Sequence, residues 1–133
     1  MIKKKKLLIV VANYYKNISG SLLDSAKKEL KKSLKIKVVT VPGVFEIPVI
    51  ISKNINKFDA FIALGCVIKG ETPHFDFISK ASIEAIMKLS VKSKKPIGNG
   101  IITCLNMKQA NTRKNKGKEA AGAINTVLDA YEN

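Results

Sequence analysis

Four apolar runs with little polar interruption dominate this chain: Leu7–Ala12, Ile36–Val41, Ala60–Ile68 and Ile97–Cys104. A strand with one wet face alternates apolar and polar residues. Continuous runs instead predict strands buried on both faces, as in a parallel sheet covered by helices. The segments between them carry helical periods. Leu22, Leu23, Ala26 and Leu30 form one stripe, with Lys27, Lys28, Lys31 and Lys32 on other faces. Ile78, Ala81, Ala85, Ile86 and Leu89 form a second, and Ala120, Ala121, Ile124, Val127, Leu128 and Tyr131 a third. Helix starts are expected at Ser21, three residues before Asp24, at Thr72-Pro73, and at Asn106, three before Gln109. The order β-α-β-α-β-α-β-α, with the last helical segment doubled or broken, predicts an α/β fold. The expected form is a three-layer αβα sandwich with right-handed crossovers and a four-stranded parallel sheet in flavodoxin-like strand order. With 133 residues, 46% of them hydrophobic, the chain is expected to form one domain, 1–133, around one core.

The net charge of +14 invites a nucleic-acid or membrane reading. Of the 24 basic residues, however, 23 are Lys and only Arg113 is Arg. Arg supplies the commonest bidentate base contacts, so no nucleic-acid partner is expected. Cys66 and Cys104 stand apart in apolar runs, and His74 is the only histidine. That leaves a zinc site short of ligands and predicts no metal. Met1–Ala12 imitates a secretion signal, but its apolar stretch is short and Asn13-Tyr14-Tyr15-Lys16 follows in place of a cleavage site. No apolar stretch reaches bilayer length. The expectation is a cytoplasmic, soluble protein without a membrane partner.

Ligands in an open parallel sheet bind beyond the carboxyl ends of its strands. The chemically unusual residues collect there. Strand 1 ends in Asn13-Tyr14, strand 2 in Pro42–Pro48 with Glu46, and strand 3 in Lys69–Asp76 with Thr72 and His74. Each has a plainer role: Glu46 as complement to a helix dipole, Thr72 as an N-cap, His74 as a solvated residue, Tyr14 as a half-exposed aromatic. Gly98-Asn99-Gly100 is no dinucleotide fingerprint, because Thr103 replaces the third glycine and the segment precedes a strand. No Walker A string or nucleophile elbow is present.

The strings VPGVFEIP at Val41–Pro48 and LGCVIKGETPHFD at Leu64–Asp76 closely resemble the hallmark segments of the lumazine synthase family. IGNGIITCLNMKQANTR at Ile97–Arg113 and KGKEAA at Lys116–Ala121 are similar to its third region. The resemblance covers essentially the whole chain. It implies a transferase that condenses 5-amino-6-(D-ribitylamino)uracil with 3,4-dihydroxy-2-butanone 4-phosphate, releasing phosphate and water. The product is 6,7-dimethyl-8-ribityllumazine, the penultimate step of riboflavin biosynthesis, and neither metal nor organic cofactor is implied. Residue by residue, it implies that Tyr14 stacks on the pyrimidine and that Val44, Phe45 and Glu46 bind the ribityl chain. The strand-end backbone of Cys66, Val67 and Ile68 would run along the pyrimidine, with Asn99 a further contact. Glu71 and Thr72 would hold the phosphate, His74 would transfer protons, and Arg113 would clamp the phosphate, with Lys116 beside it.

The residue chemistry agrees. A helix start at Thr72-Pro73-His74 offers N–H groups to a phosphate, and the sole arginine offers a bidentate cation. The chain departs from the family in four places. Ala12-Asn13 replaces the usual Ser-Arg, Asn99 replaces an aromatic found in many members, and Leu105 replaces Glu. Only Lys114 and Asn115 separate Arg113 from Lys116. The resemblance further implies pentamers, in some members a shell of sixty chains, and a functional link to riboflavin synthase. Asn99 lies near the start of strand 4, whereas His74 lies past the end of strand 3, so if Asn99 contacts the pyrimidine as the resemblance implies, it comes from a neighbouring copy. The rival reading is a non-catalytic flavin or lumazine binder on the same fold.

Overall fold

The computed structural model describes residues 4–130. Its elements are β1 (Lys6–Ala12), α1 (Lys16–Glu29), β2 (Lys35–Val41), a 3₁₀ turn at Val44–Glu46, α2 (Ile47–Lys53), β3 (Ala60–Ile68), α3 (His74–Ser93), β4 (Ile97–Cys104), α4 (Met107–Arg113) and α5 (Gly117–Ala130). The four strands form one parallel sheet in the order β2-β1-β3-β4. This is the expected flavodoxin-like order.

Side chains leaving the two faces of the sheet build two apolar layers. Leu7, Ile9 and Val11 of β1 and Ile62 and Leu64 of β3 meet Ile18, Leu22 and Ala26 of α1 and Ala121 and Ile124 of α5. Leu8 and Val10 of β1 and Phe61 and Ala63 of β3 meet Ile47 and Ile51 of α2 and Ile86 of α3 on the other face. Each such fully buried side chain contributes about 1.5–3 kcal/mol relative to exposure. Chain direction across the sheet reverses between the β1-to-β2 step and the later steps. The helices change face at the same point, which keeps all crossovers of one hand.

Leu7–Ala12 of β1 and Ala60–Cys66 of β3 are buried, as their apolar runs predict, with Lys6 exposed at the start of β1 and Val67 and Ile68 half-buried at the end of β3. β2 departs from that expectation: its residues are mostly exposed or half-buried. It is an edge strand paired only with β1, so Lys35, Lys37 and Thr40 reach solvent. α1 starts at Lys16, five residues before the start expected at Ser21. Ser19, inside the helix, donates its hydroxyl to Ala12 O at the end of β1, and Ile18 is buried. These two anchors pull the helix start back to the strand. α3 starts at His74, and α4 is capped by the Asn106 side chain, which accepts from Gln109 N at 2.9 Å. Both starts lie where they were expected. Tyr131 of the third stripe lies outside the described residues. No described helix is long and apolar enough to cross a membrane.

Candidate active site

Strand order reverses around β1, so a crevice opens beyond the carboxyl ends of β1 and β3, where an open α/β sheet takes its ligands. Here it has a volume of about 670 Å³ and is lined by Tyr14, Tyr15, Gly43, Val44, Phe45, Glu46, Val67, Ile68, His74 and Ile78. Three short connections build it. The β1–α1 link presents Tyr14, which is 75% exposed and offers an open ring face. Tyr15 meets it edge-on, with ring centroids 4.9 Å apart and planes at 79°. Tyr15 also packs against the α1/α5 side of the core, and burial, together with Tyr14 and Cys66, raises the pKa of its phenol.

The Pro42–Pro48 segment folds as a 3₁₀ turn that runs into α2. Glu46 Oε1 accepts from Gly43 N at 3.0 Å, so one carboxylate oxygen closes the turn while the group as a whole lines the crevice. Glu46 thus has a local structural role, closing the turn before α2, beside its place in the crevice. His74 opens α3, and its N–H lies 3.4 Å from Thr72 Oγ1. Ile78, one turn later on the same helix face, supplies an apolar wall.

Not every candidate residue joins this crevice. Glu71 and Thr72 are exposed on the loop before α3 and are not among its lining residues. The Cys66 side chain turns to the opposite core layer, beside Cys104. Burial pushes its thiol up to about 12, with Cys104 adding to the shift, so the sulfur is a protonated core group near neutral pH. Asn99, Arg113 and Lys116 gather elsewhere, in a groove of about 310 Å³ along the outer edge of β4. There Arg113 Nη1 donates to Thr103 O at 3.2 Å and Lys116 pairs with Glu119 at 3.0 Å. Asn99 faces Ala63 in the β3–β4 register, five residues short of Ile68 at the strand end. That is roughly 16 Å along the strand. α4 and α5 bring Arg113 and Lys116 to the α1 side of the sheet, whereas Val44 and α3 lie on the other side. The expected pairing of Arg113 with His74 is thus not made within one chain.

The family model described as 6,7-dimethyl-8-ribityllumazine synthase matches residues 4–132. The chain belongs to that family. It is similar to the 6,7-dimethyl-8-ribityllumazine synthase of Agrobacterium fabrum, 41% identical over an alignment that covers 96% of this chain and 95% of the relative. It is also similar to the synthase of that name from Bartonella tribocorum, 44% identical over 92% of this chain and 87% of the relative. The Bartonella bacilliformis synthase is 46% identical over 88% and 84%. For a member of the lumazine synthase family, the crevice is chemically apt. It offers a flat aromatic face, a carboxylate for hydroxyl groups, and an imidazole at a helix start. Its one lining carboxylate ends the 3₁₀ turn and is half-buried, and its one imidazole opens α3 and is exposed.

Tyr15, Gly43 and Ile78 line the crevice but were not among the residues singled out from sequence. Tyr15 carried a signal in its place directly after a strand end, beside Tyr14. Ile78 carried one in its four-residue spacing from His74.

Proposed function

We propose that this chain works as a 6,7-dimethyl-8-ribityllumazine synthase, a transferase of riboflavin biosynthesis, with each active site built from two copies of the chain. The pyrimidine substrate lies on the Tyr14 ring, its ribityl hydroxyls reach Glu46 and the Val44-Phe45 backbone, and Val67 and Ile68 flank it. His74 serves the proton transfers as phosphate and water leave. The observation that carries this reading is the division of the functional residues into two separated sets on one chain. A crevice bearing Tyr14, Glu46 and His74 has no lysine or arginine in its lining, and the groove bearing Asn99, Arg113 and Lys116 has no imidazole. Laying the β4-edge groove of one copy over the crevice of the next completes a phosphate site, with Arg113 clamping the anion in two-pronged fashion and Lys116 beside it. Glu71 and Thr72 on the loop before His74 close that site.

Such a contact joins two different surfaces, and its repetition forms a ring where the rotation between copies closes. The ring the family resemblance implies is a pentamer, alone or built into a shell of sixty. The apolar side chains left exposed support it. Phe77 and Val91 on one face of α3 are 68% and 70% exposed, with Met87 between them in sequence, and Phe45 and Val49 are exposed on the neighbouring 3₁₀ turn and α2. Single exposed apolar residues are ordinary, but a clustered face of this kind marks an interaction surface.

The decisive experiment mixes the purified protein with both substrates and follows the lumazine chromophore. Its formation with release of inorganic phosphate is the expected result. Tight lumazine binding without turnover would establish the non-catalytic rival instead.

A further inference from the structure

At the opposite end of the sheet from the crevice, the fold assembles a second and much more basic concavity. It has a volume of about 760 Å³ and is lined by Lys4, Lys5, Lys6, Lys35, Lys37, Lys57 and Lys95, with Phe58 and Asp59 at its wall. These seven of the chain's 23 lysines come from four separate segments. They are the start of β1, the start of β2, the loop before β3 and the loop before β4. Asp59 is the only acidic residue of the lining, and its carboxylate already accepts from Lys6 N at 2.7 Å. Two of the ammonium groups have local partners. Lys95 Nζ donates to Ile55 O just past the end of α2, and Lys6 Nζ stands 6.0 Å from the Phe58 ring centroid. The other five have no carboxylate partner among the described residues. Like charges held around one hollow repel one another and concentrate counter-ions there.

We infer that this concavity binds a chain of contiguous phosphates, as in inorganic polyphosphate. Three features choose that ligand. Seven point charges without a single Arg fork attract phosphate oxygens but do not read planar edges. The only aromatic of the lining, Phe58, is half-buried against the core, 6.1 Å from Phe61 at 63°, and the Lys6 ammonium stands over its ring, so a nucleobase would have to displace that ammonium to stack there. The hollow is compact, so a ligand must bring several charges into a short length to meet them. The site shares no residue with the crevice or the β4 groove and is independent of the function proposed above.

The test measures binding of a short-chain inorganic polyphosphate to the full protein across a salt series. Three proteins are compared: wild type, a Lys5→Gln/Lys35→Gln/Lys57→Gln variant, and a Lys27→Gln/Lys28→Gln/Lys32→Gln variant of equal net charge. The groove variant is expected to bind about tenfold or more weakly and with a shallower salt slope. The α1 variant is expected to change less than about twofold. Equal weakening in both would overturn the site and leave only net charge. In the wild-type protein, polyphosphate is expected to shield Lys4, Lys5, Lys35, Lys37 and Lys57 from amine acylation, and to leave Lys27, Lys28 and Lys32 reactive. Uniform reactivity would overturn the site without relying on any variant. A single-stranded uridine homopolymer at equal phosphate concentration is expected to bind more weakly, because riboses space its charges. Equal or tighter binding of that RNA would overturn the polyphosphate assignment.

Discussion

His74 stands at the mouth of the crevice, exposed and free of any side-chain partner among the described residues. Its imidazole can therefore move protons without first breaking a structural contact. Positioned acid–base groups contribute roughly 10²–10⁴-fold, and an amine attacks a ketone readily, so the lower end applies here. His74→Ala is expected to lower kcat about 100-fold and to leave the KM for the pyrimidine nearly unchanged, as measured by steady-state kinetics. A large rise in that KM would show that the residue holds the pyrimidine. Cys66 behaves in the opposite way. Its thiol is held protonated up to about 12, against an ordinary value of 9.0 in an unfolded chain. Between those values the folded state keeps a proton that the unfolded state has lost. The stabilisation is therefore complete below pH 9 and fades as pH rises toward 12. Chemical denaturation of wild type and Cys66→Val across that range should show stability falling more steeply in wild type. Parallel curves would mean that the thiol is not held protonated.

At the scale of elements, the crevice depends on how closely β3 lets the 3₁₀ turn approach. A Cβ on Gly65 would stand 2.7 Å from Val44 Cγ2 and 3.2 Å from Ala12 Cβ. Glycine is required here for close approach. Overpacking of this sort costs about 1–3 kcal/mol. Gly65→Ala is expected to lower Tm by about 5 °C or more, and to raise the KM for the pyrimidine by displacing Val44. Gly20, inside α1 on its exposed face, has nothing within 4 Å of the same added atom. Gly20→Ala is expected to stabilise the protein by about 0.5–1 kcal/mol, read by denaturant titration. A loss of stability there would show that the α1 surface is already covered by another copy. Gly98 has the same purpose as Gly65, since its added Cβ would sit 2.6 Å from Ala120 O where α5 crosses β4.

At the scale of the whole molecule, the separation of His74 from Arg113 makes a prediction that no single chain could satisfy. Chains carrying His74→Ala and chains carrying Arg113→Ala each spoil every shared site in their own assemblies. Unfolded together in equal amounts and reassembled, they place an intact His74 opposite an intact Arg113 at about a quarter of the contacts. Lumazine formation should recover to about a quarter of the wild-type rate, well above either variant alone. No recovery, with mixed assemblies confirmed by mass, would show that each site lies within one chain.

Much of this architecture was legible in the residues. Ala60–Ile68 could be bounded to the residue, because burial on both faces demands an unbroken apolar run and the flanking polar residues end it. Ile97–Cys104 has the expected bounds too, although Asn99 and Thr103 interrupt it and it lies at the sheet edge. Tyr14, Glu46 and His74 could be assigned to one rim from strand polarity alone. The exposure of β2 could not be read, because Ile36–Val41 looks much like a central strand. Only its place at the sheet edge, paired with β1 alone, decides that Lys35 and Lys37 meet water. The start of α1 was misplaced for a similar reason: Ser21 has the local chemistry of a cap, but a hydroxyl bond from Ser19 to β1 overrides it. Arg113 illustrates the limit most clearly. Local sequence supplies its charge and its helix, and therefore its chemistry. Which face of the sheet receives it depends on α5 packing against α1, a contact between segments nearly a hundred residues apart. Local propensity determined the elements; long-range packing alone decided which of them share a site.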